Sequence, residues 1–525
     1  MKISSLGVYI FLAFALALRS PADLRACEVQ QLVASDAAPR DRFARAVALD
    51  ADVALIGSYR DDCPAGDNCG AAYIFAFDPD LDAWQQQAKL VASDVAAGDL
   101  FGWSVAVHGD VAVVGSLNDA QAVDAGAAYV FKYDGSNWVE SQKLIADDAA
   151  GSSFFGWSVA VHGDAIAVGA IGDHEAGIGA GAVYFFRYDP VTGLWNQQQK
   201  LTAADPTDTD EFGSTIALDS EVLVVGVERA DTAGTSSGAA YVFEYDTDLA
   251  AWTQRQKLIA SDAAPDDRFA HAVAVRDDLI VCGAYRKDRD PGALNTGAAY
   301  VFRYDPATTL WTQEHVLSSP DTETEDWLAF AVAVQPDTIV LGAPKDDTLG
   351  EDAGAIYTFR HDGSAWGPGR KITASDGQTG DIFGWAAAVS DSLALVGAHM
   401  HSQDGSESGA AYLISLTGLD DDDDTVPDDC DNCPSAFNPD QSDCDGDGMG
   451  DACLDFGDFN GDGQSTLPDY AAFIDCLSGN GSTPTPSQPG CSNACLQAFD
   501  ADADGDLDLC DFGDLQPTLA ADPIP

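Results

Sequence analysis

Short β-branched runs punctuated by glycine fill most of the chain. In the stretch from Leu90 to Leu144 the runs SVAV and VAVV are separated by His108-Gly109-Asp110, and AAYVFKY and WVESQKL follow. Apolar runs of this length, bounded by Gly and Asp and without helical spacing, predict strands, and the short separator predicts a hairpin. Four strands thus make one unit, and the unit repeats. Its closing apolar residue recurs at Leu32, Leu90, Leu144, Leu201, Leu258, Leu317 and Ile372, at intervals of 54 to 59 residues. Phe43, Phe101, Phe155, Phe212, Phe269, Leu328 and Phe383 mark a second recurring position. Gly57, Gly115, Gly169, Gly226, Gly283, Gly342 and Gly397 mark a third, and Tyr73, Tyr129, Tyr184, Tyr241, Tyr300, Tyr357 and Tyr412 a fourth, so there are seven units. A fixed period means supersecondary units that bury their faces only against one another. Four strands per unit with Gly-rich connections predict a mainly β fold, a seven-bladed propeller, rather than a β-solenoid, whose repeats are shorter.

The ends of the array bear on how the ring closes. Unit seven stops after Ala410 to Leu416 with no following W…QKL strand, while Glu28-Val-Gln-Gln-Leu32 resembles that missing strand. The first strand is therefore expected to complete the last blade and leave no open edge. FGWSVAV followed by VGS or VGA resembles the FG-GAP repeat of integrin-α-type propellers, here across residues 27–419. The resemblance implies architecture more than activity, because a fold does not fix a function. Many such repeats carry a DxDxDG calcium loop between the first two strands. Here that place holds short turns such as His162-Gly163-Asp164, so the blades are not expected to bind calcium.

Two side-chain regularities run through the units. Asp36, Asp94, Asp148, Asp205, Asp262, Asp321 and Asp376 occur once per unit, just before the FG strand. Each carboxylate could accept backbone N–H bonds in a turn, or the seven could ring one mouth and bind a cation or a basic ligand. Trp84, Trp138, Trp195, Trp252, Trp311 and Trp366 fall on the fourth strand and are expected to pack the blades rather than form a sugar platform. Cys63 and Cys69 share the short loop CPAGDNC and are expected to pair, whereas Cys27 and Cys282 have no obvious partner.

After Leu419 the composition changes abruptly, to a run rich in Asp that holds no Lys, Arg or His. The spacing is that of metal ligands rather than of a solvated acidic tail. Asp420 to Cys453 resembles a thrombospondin type 3 repeat. The resemblance implies one calcium set at Asp420, Asp422, Asp424, Asp428 and Asp431 and another at Asp443, Asp445, Asp447 and Asp451, with Thr425 where the first loop usually has Gly. Two twelve-residue loops follow. One places Asp458, Asn460 and Asp462 at positions 1, 3 and 5, Gly463 at 6, the Gln464 carbonyl at 7 and Asp469 at 12. The other runs from Asp500 through Asp502, Asp504, Asp506 and Asp508 to Asp511. Hard oxygen donors at this spacing, with Gly at the sharp turn, suit Ca²⁺. Leu467, Tyr470, Ala471, Ile474 and Leu477 predict a helix after the first loop, and Phe512, Leu515 and Leu519 one after the second. The pair of EF-hand-like loop–helix units resembles a type I dockerin, which implies a cohesin-like partner. Leu467-Pro468 and Leu509-Cys510 replace the polar pair often used for that recognition, so calcium is the firmer expectation. The domains read as an export signal over 1–26, the propeller over 27–419, the calcium repeat over 420–453 and the paired loops over 454–525.

Composition narrows the function. A formal net charge of -61 argues against nucleic acid, whose phosphates require Lys and Arg. Lys2, the apolar run Leu6 to Leu18 and the small residues Ala22 and Ala26 read as a cleaved signal peptide, too short to span a bilayer. Twelve cysteines suit an oxidising compartment. Gly234 to Gly238 spells G-x-S-x-G, but before a propeller strand rather than on a nucleophile elbow. His399 and His401 lack a third metal ligand at characteristic spacing and read as a surface loop. No catalytic set is expected. The sequence points to a secreted or cell-surface, calcium-binding, non-enzymatic adhesion or scaffold protein that recognises an extracellular protein or polysaccharide. The alternative is a docking component of an extracellular polysaccharide-degrading assembly.

Overall fold

The computed structural model describes residues 28–416, apart from 82, 119–123, 290–292, 362 and 404. These residues fall in one compact unit, Arg25–Thr417. The signal segment 1–26, Cys27 and the calcium sets from Asp420 to Asp431, Asp443 to Asp451, Asp458 to Asp469 and Asp500 to Asp511 lie outside the described residues.

Seven four-stranded antiparallel sheets make up the unit. Blade 1 runs Phe43–Asp50, Val53–Ser58, Ala71–Asp78 and Ala83–Leu90, and blade 2 runs Phe101–His108, Val111–Ser116, Ala127–Tyr133 and Trp138–Leu144. Blades 3 to 6 follow the same order over 155–201, 215–258, 273–317 and 331–372. In blade 7 the strands Ala386–Ser390, Leu393–Ala398 and Ala410–Ser415 are completed by Glu28–Leu32 from the other end of the chain. That strand is antiparallel to Ala410–Ser415, with Gln31 opposite Tyr412 and Leu32 opposite Ala411. The first strands of successive blades touch one another around the whole ring, blade 7 to blade 1 included.

Burial explains the strand composition. The second strand lies between neighbouring blades on both faces, so VAVVGS of blade 2 is buried at every position. Such a strand reads as an unbroken apolar run. The outer strand has one face open and alternates, with Trp84 and Leu90 buried and Gln85 and Gln87 exposed. The six outer tryptophans are all buried and pack within or between blades, as their spacing predicts; Trp84 is 3% exposed. Cys63 and Cys69 form a disulfide, and Cys282 is a free, buried thiol.

The FG and GAP glycines meet across blade boundaries rather than within a blade. A Cβ on Gly57 would collide with the carbonyl oxygen of Gly102 in the next blade, and Gly102 has φ +88°. The first strand of each blade can approach its predecessor this closely because neither glycine carries a side chain. Ala44, Ala270 and Ala329 take the second glycine's place in blades 1, 5 and 6, at φ 65–66°. The seam is built like the other boundaries: the Phe43 N–H donates to Ser408 O at 3.0 Å, as Phe101 N–H does to Cys69 O at 3.0 Å.

A second tie joins the outer strands. Gln142 donates to Trp195 O at 2.8 Å and accepts from Trp195 N at 2.7 Å, gripping the peptide of the next blade. Gln199 holds Trp252 and Gln256 holds Trp311 in the same way. Gln30, on the strand that closes the ring, holds Trp84 at 2.9 and 2.8 Å. The closing strand is therefore fixed to blade 7 by its ladder and to blade 1 by a side chain.

Candidate functional site

The once-per-unit aspartates are in place, but their partners are neither a turn's N–H groups nor a vacant mouth. Each sits in the loop entering a blade; six of the seven accept from that blade's own tyrosine, Asp321 instead meets Lys371 at 3.1 Å, and in the first six blades a lysine is paired with the aspartate. Tyr73 donates to Asp36 Oδ1 at 2.9 Å, and Lys89 donates to Asp36 Oδ2 at 2.7 Å. The same pair recurs as Tyr129 and Lys143 on Asp94, Tyr184 and Lys200 on Asp148, and Tyr241 and Lys257 on Asp205. Burial raises the Asp36 carboxyl pKa, but bonds from Lys89 and Tyr73 outweigh it and hold the carboxyl below its ordinary range. Asp94, Asp148 and Asp205 follow the same balance. These carboxylates are therefore engaged by side chains of their own blades rather than left open as one cation-binding ring.

A second, buried carboxylate strengthens several clusters. Asp61, 3% exposed, accepts from Lys89 at 2.8 Å and lies 2.7 Å from the Tyr73 hydroxyl, whose single proton it shares with Asp36. Asp173 and Asp346 take its place beside Lys200 and Lys371. Blade 5 inverts the arrangement: Val316 stands at the strand position of Lys89, and Lys287 stands at the loop position of Asp61, pairing with Asp262 and Asp267 at 3.2 and 3.0 Å. Blade 7 places Gln31 on the strand and His401 in the loop, where its Nε2 is 3.4 Å from Asp376 and its Nδ1 2.9 Å from Asp381. The repeat keeps a donor between two acidic positions and is indifferent to which element supplies it.

The backbone N–H acceptors are a different set. Asp41, Asp99, Asp210, Asp267, Asp326 and Asp381 each accept the N–H three residues earlier, at 2.6–2.9 Å. Burial pushes Asp41 and Asp326 up to about 6.

The sequence reading of His399 and His401 as a surface loop needs correction. Both are buried, at 3% and 2% exposure, because the loop after the second strand folds in over the blade. Among the described residues no group of three or more His, Cys, Asp or Glu is placed to hold a metal ion. Ser236 of the G-x-S-x-G run lies in a loop, with its N–H on Asp231 Oδ1 at 2.8 Å.

On this same face, where the first strands begin, the residues following each FG pair converge on the ring axis. They are Arg45, Trp103, Trp157, Ser214, His271, Phe330 and Trp385, all half-buried. Trp103 and Trp157 lie 5.2 Å apart between ring centres, His271 and Phe330 4.5 Å, and Phe330 and Trp385 4.4 Å. The Arg45 guanidinium stacks 3.8 Å over Trp103, with no carboxylate partner among the described residues. Burial lowers its pKa to about 10, which leaves it charged at neutral pH. His399 packs edge-on against Trp385 at 4.8 Å. Burial, then Arg45, Arg42 and Arg60, hold it well below the ordinary histidine value and therefore neutral. Glu228, paired with His271 at 2.7 Å, brings one carboxylate to the rim. Broad apolar ring faces, one stacked guanidinium and a neutral imidazole make a surface suited to recognition by contact.

This mouth was missed in the sequence, although a signal was there. The position after FG is the one place inside an otherwise constant motif where the residue changes freely, from Trp to Arg, Ser, His and Phe. Variation at a strand's inward end marks a surface freed from packing.

The model of the FG-GAP repeat matches residues 27–75, 84–131, 138–186, 195–243, 252–302, 311–359 and 366–414. No curated protein matches the chain. Among solved structures, Sqt1 of Saccharomyces cerevisiae is similar over 75% of this chain and 100% of its own, at 8% identity and a TM-score of 0.41. With seven matches that together cover more than half of its residues, the chain belongs to the FG-GAP repeat family.

Proposed function

We propose that the protein is a secreted or cell-surface adhesion or scaffold protein that recognises an extracellular ligand at the aromatic mouth of its propeller and binds calcium in its acidic tail. The observation that carries this reading is the half-buried belt of Trp103, Trp157, His271, Phe330 and Trp385 with Arg45 stacked on it. Aromatic and arginine side chains dominate binding hot spots, and the aromatic ones give large contact area at little entropic cost. Family membership supports a ligand-binding rather than a catalytic role. Among the described residues, no helix is long and apolar enough to cross a membrane.

The test is retention of the full chain on purified extracellular protein and polysaccharide preparations. A Trp103→Ala, Trp385→Ala variant should lose retention while remaining folded at the assay temperature, and undiminished retention would sink the mouth assignment. For the tail, calorimetry of the full chain should detect calcium, with fewer sites after Asp462→Ala and Asp504→Ala. The docking reading rests on the dockerin-like spacing of those loops; calcium-dependent capture of a purified cohesin would favour it over adhesion alone.

A further inference from the structure

The sixth residue of each third strand faces the neighbouring blade, near the end of the ring opposite the aromatic mouth. In blades 2 and 3 it is a cation and sits over the tyrosine of the next blade, whereas Arg303 and Arg360 of blades 5 and 6 face blades that carry His361 and Leu416 at that position. Lys132 Nζ lies 3.9 Å from the centre of the Tyr188 ring, and Arg187 Cζ lies 4.7 Å from that of Tyr245. Arg187 also grips Asp164, in the hairpin turn of its own blade, through two bonds of 3.0 and 3.1 Å.

One boundary further on, between blades 4 and 5, the pattern reverses. The strand position is Glu244 and the turn position is Glu221, so two carboxylates replace a cation and its partner. A cleft of about 290 Å³ opens there, lined by Glu221, Glu244, Asp277, Asp278, Tyr304 and Trp311 among others. Glu244 is paired with Arg255 at 3.2 Å and Asp278 with Arg303 at 3.2 Å. Glu221 and Asp277 have no cationic partner among the described residues. Trp311 is 4% exposed, and its indole N–H has no acceptor among them.

We propose that this cleft binds an organic cation, the ammonium or guanidinium group of a basic side chain on a partner protein. The group would enter over Tyr304, where Lys132 and Arg187 stand over their tyrosines in the two preceding boundaries. Ring quadrupoles attract such cations, and the attraction grows as the site loses water. Glu221 and Asp277 supply the counter-charge, and Trp311 walls the cleft. Calcium fits poorly, because it needs six to eight oxygens and no three candidate ligands among the described residues converge on one point. A chain of net charge -61 also draws basic partners towards it.

The test is a ligand-observed NMR titration of the full chain with N-acetyl-arginine amide, using the uncharged N-acetyl-citrulline amide as control. Glu244→Lys installs the cation that the two preceding boundaries carry and fills the cleft from within, and its melting temperature checks that loss of the Glu244–Arg255 pair leaves the fold intact. Arginine amide is expected to bind the wild type, with about tenfold weaker binding to Glu244→Lys and a smaller loss in Glu221→Gln. Citrulline amide should not bind. Equal binding to wild type and Glu244→Lys would place the interaction elsewhere, for instance on the acidic tail, and overturn the proposal. So would equal binding of citrulline amide, or displacement by calcium in the wild type but not in Glu244→Lys, which would make the cleft a metal site.

Discussion

Lys89 is the residue through which the charge clusters can be tested most sharply. Replacing it with Met keeps the length of the side chain and removes its charge. Two carboxylates then lose their counter-ion: Asp36, whose side chain is 50% exposed, and Asp61, whose side chain is 5% exposed. The exposed one costs little, since surface pairs contribute about 0–1 kcal/mol. The buried one sets the magnitude, because breaking a buried pair by removing one partner costs about 3–5 kcal/mol. Lys89 is itself 29% exposed, and the Tyr73 proton that Asp61 shares with Asp36 remains, so the lower end, about 3 kcal/mol, is expected. Blade 4 provides the control. Lys257 meets the exposed Asp205, but Ala230 stands where Asp61 would be, so Lys257→Met should cost less than about 1 kcal/mol. Urea denaturation of the two variants measures the difference, and Asp61→Asn in the Lys89→Met background should recover at least half of the loss. Equal costs for Lys89→Met and Lys257→Met would refute the argument that the buried loop carboxylate decides the energy.

Other consequences can be measured. Deleting residues 27–34 removes the closing strand and its Gln30 clamp, exposing the edge of Ala410–Ser415; the whole ring should melt at a lower temperature, and an unchanged melting temperature would count against this closure. Trp84→Ala, at a buried outer position, should cost about 3–5 kcal/mol, whereas Trp103→Ala at the half-buried mouth should cost clearly less, as read by urea midpoints. Asp41 and Asp326 have folded pKa values raised to about 6 by burial, above the ordinary 3.8, so the stability linked to them is fully present below pH 4 and is lost as pH rises to 6. An Asp41→Asn, Asp326→Asn variant should show a flatter stability profile across that window.

How much of this was legible in the sequence depended on whether a property is local. Blade count, the strand order and the closing role of Glu28–Leu32 could be read because each strand carries its burial in its own pattern: unbroken apolar in VAVVGS, alternating in WVESQKL. The partners of Asp36 could not, because Tyr73 and Lys89 lie 37 and 53 residues further on and meet it only when the blade folds back on itself. His399 and His401 were misplaced for a related reason. Their loop, GAHMHSQDG, is polar by composition, yet its two histidines turn inward, one to Trp385 and one to Asp376 and Asp381.

The distribution of constant and variable positions then separates architecture from recognition. Where the entering aspartate of a blade meets its partners, the copies agree or compensate, as Lys287 does for the absent strand lysine of blade 5. At the axial mouth the copies diverge: tryptophan holds three of the seven equivalent places, and Arg45, Ser214, His271 and Phe330 hold the other four. A ring of seven similar blades would have seven similar mouths' worth of surface if packing alone shaped it. The asymmetry at that level, set against aspartate clusters that agree or compensate, is the physical reason to propose ligand recognition at the mouth rather than on the charged clusters around it.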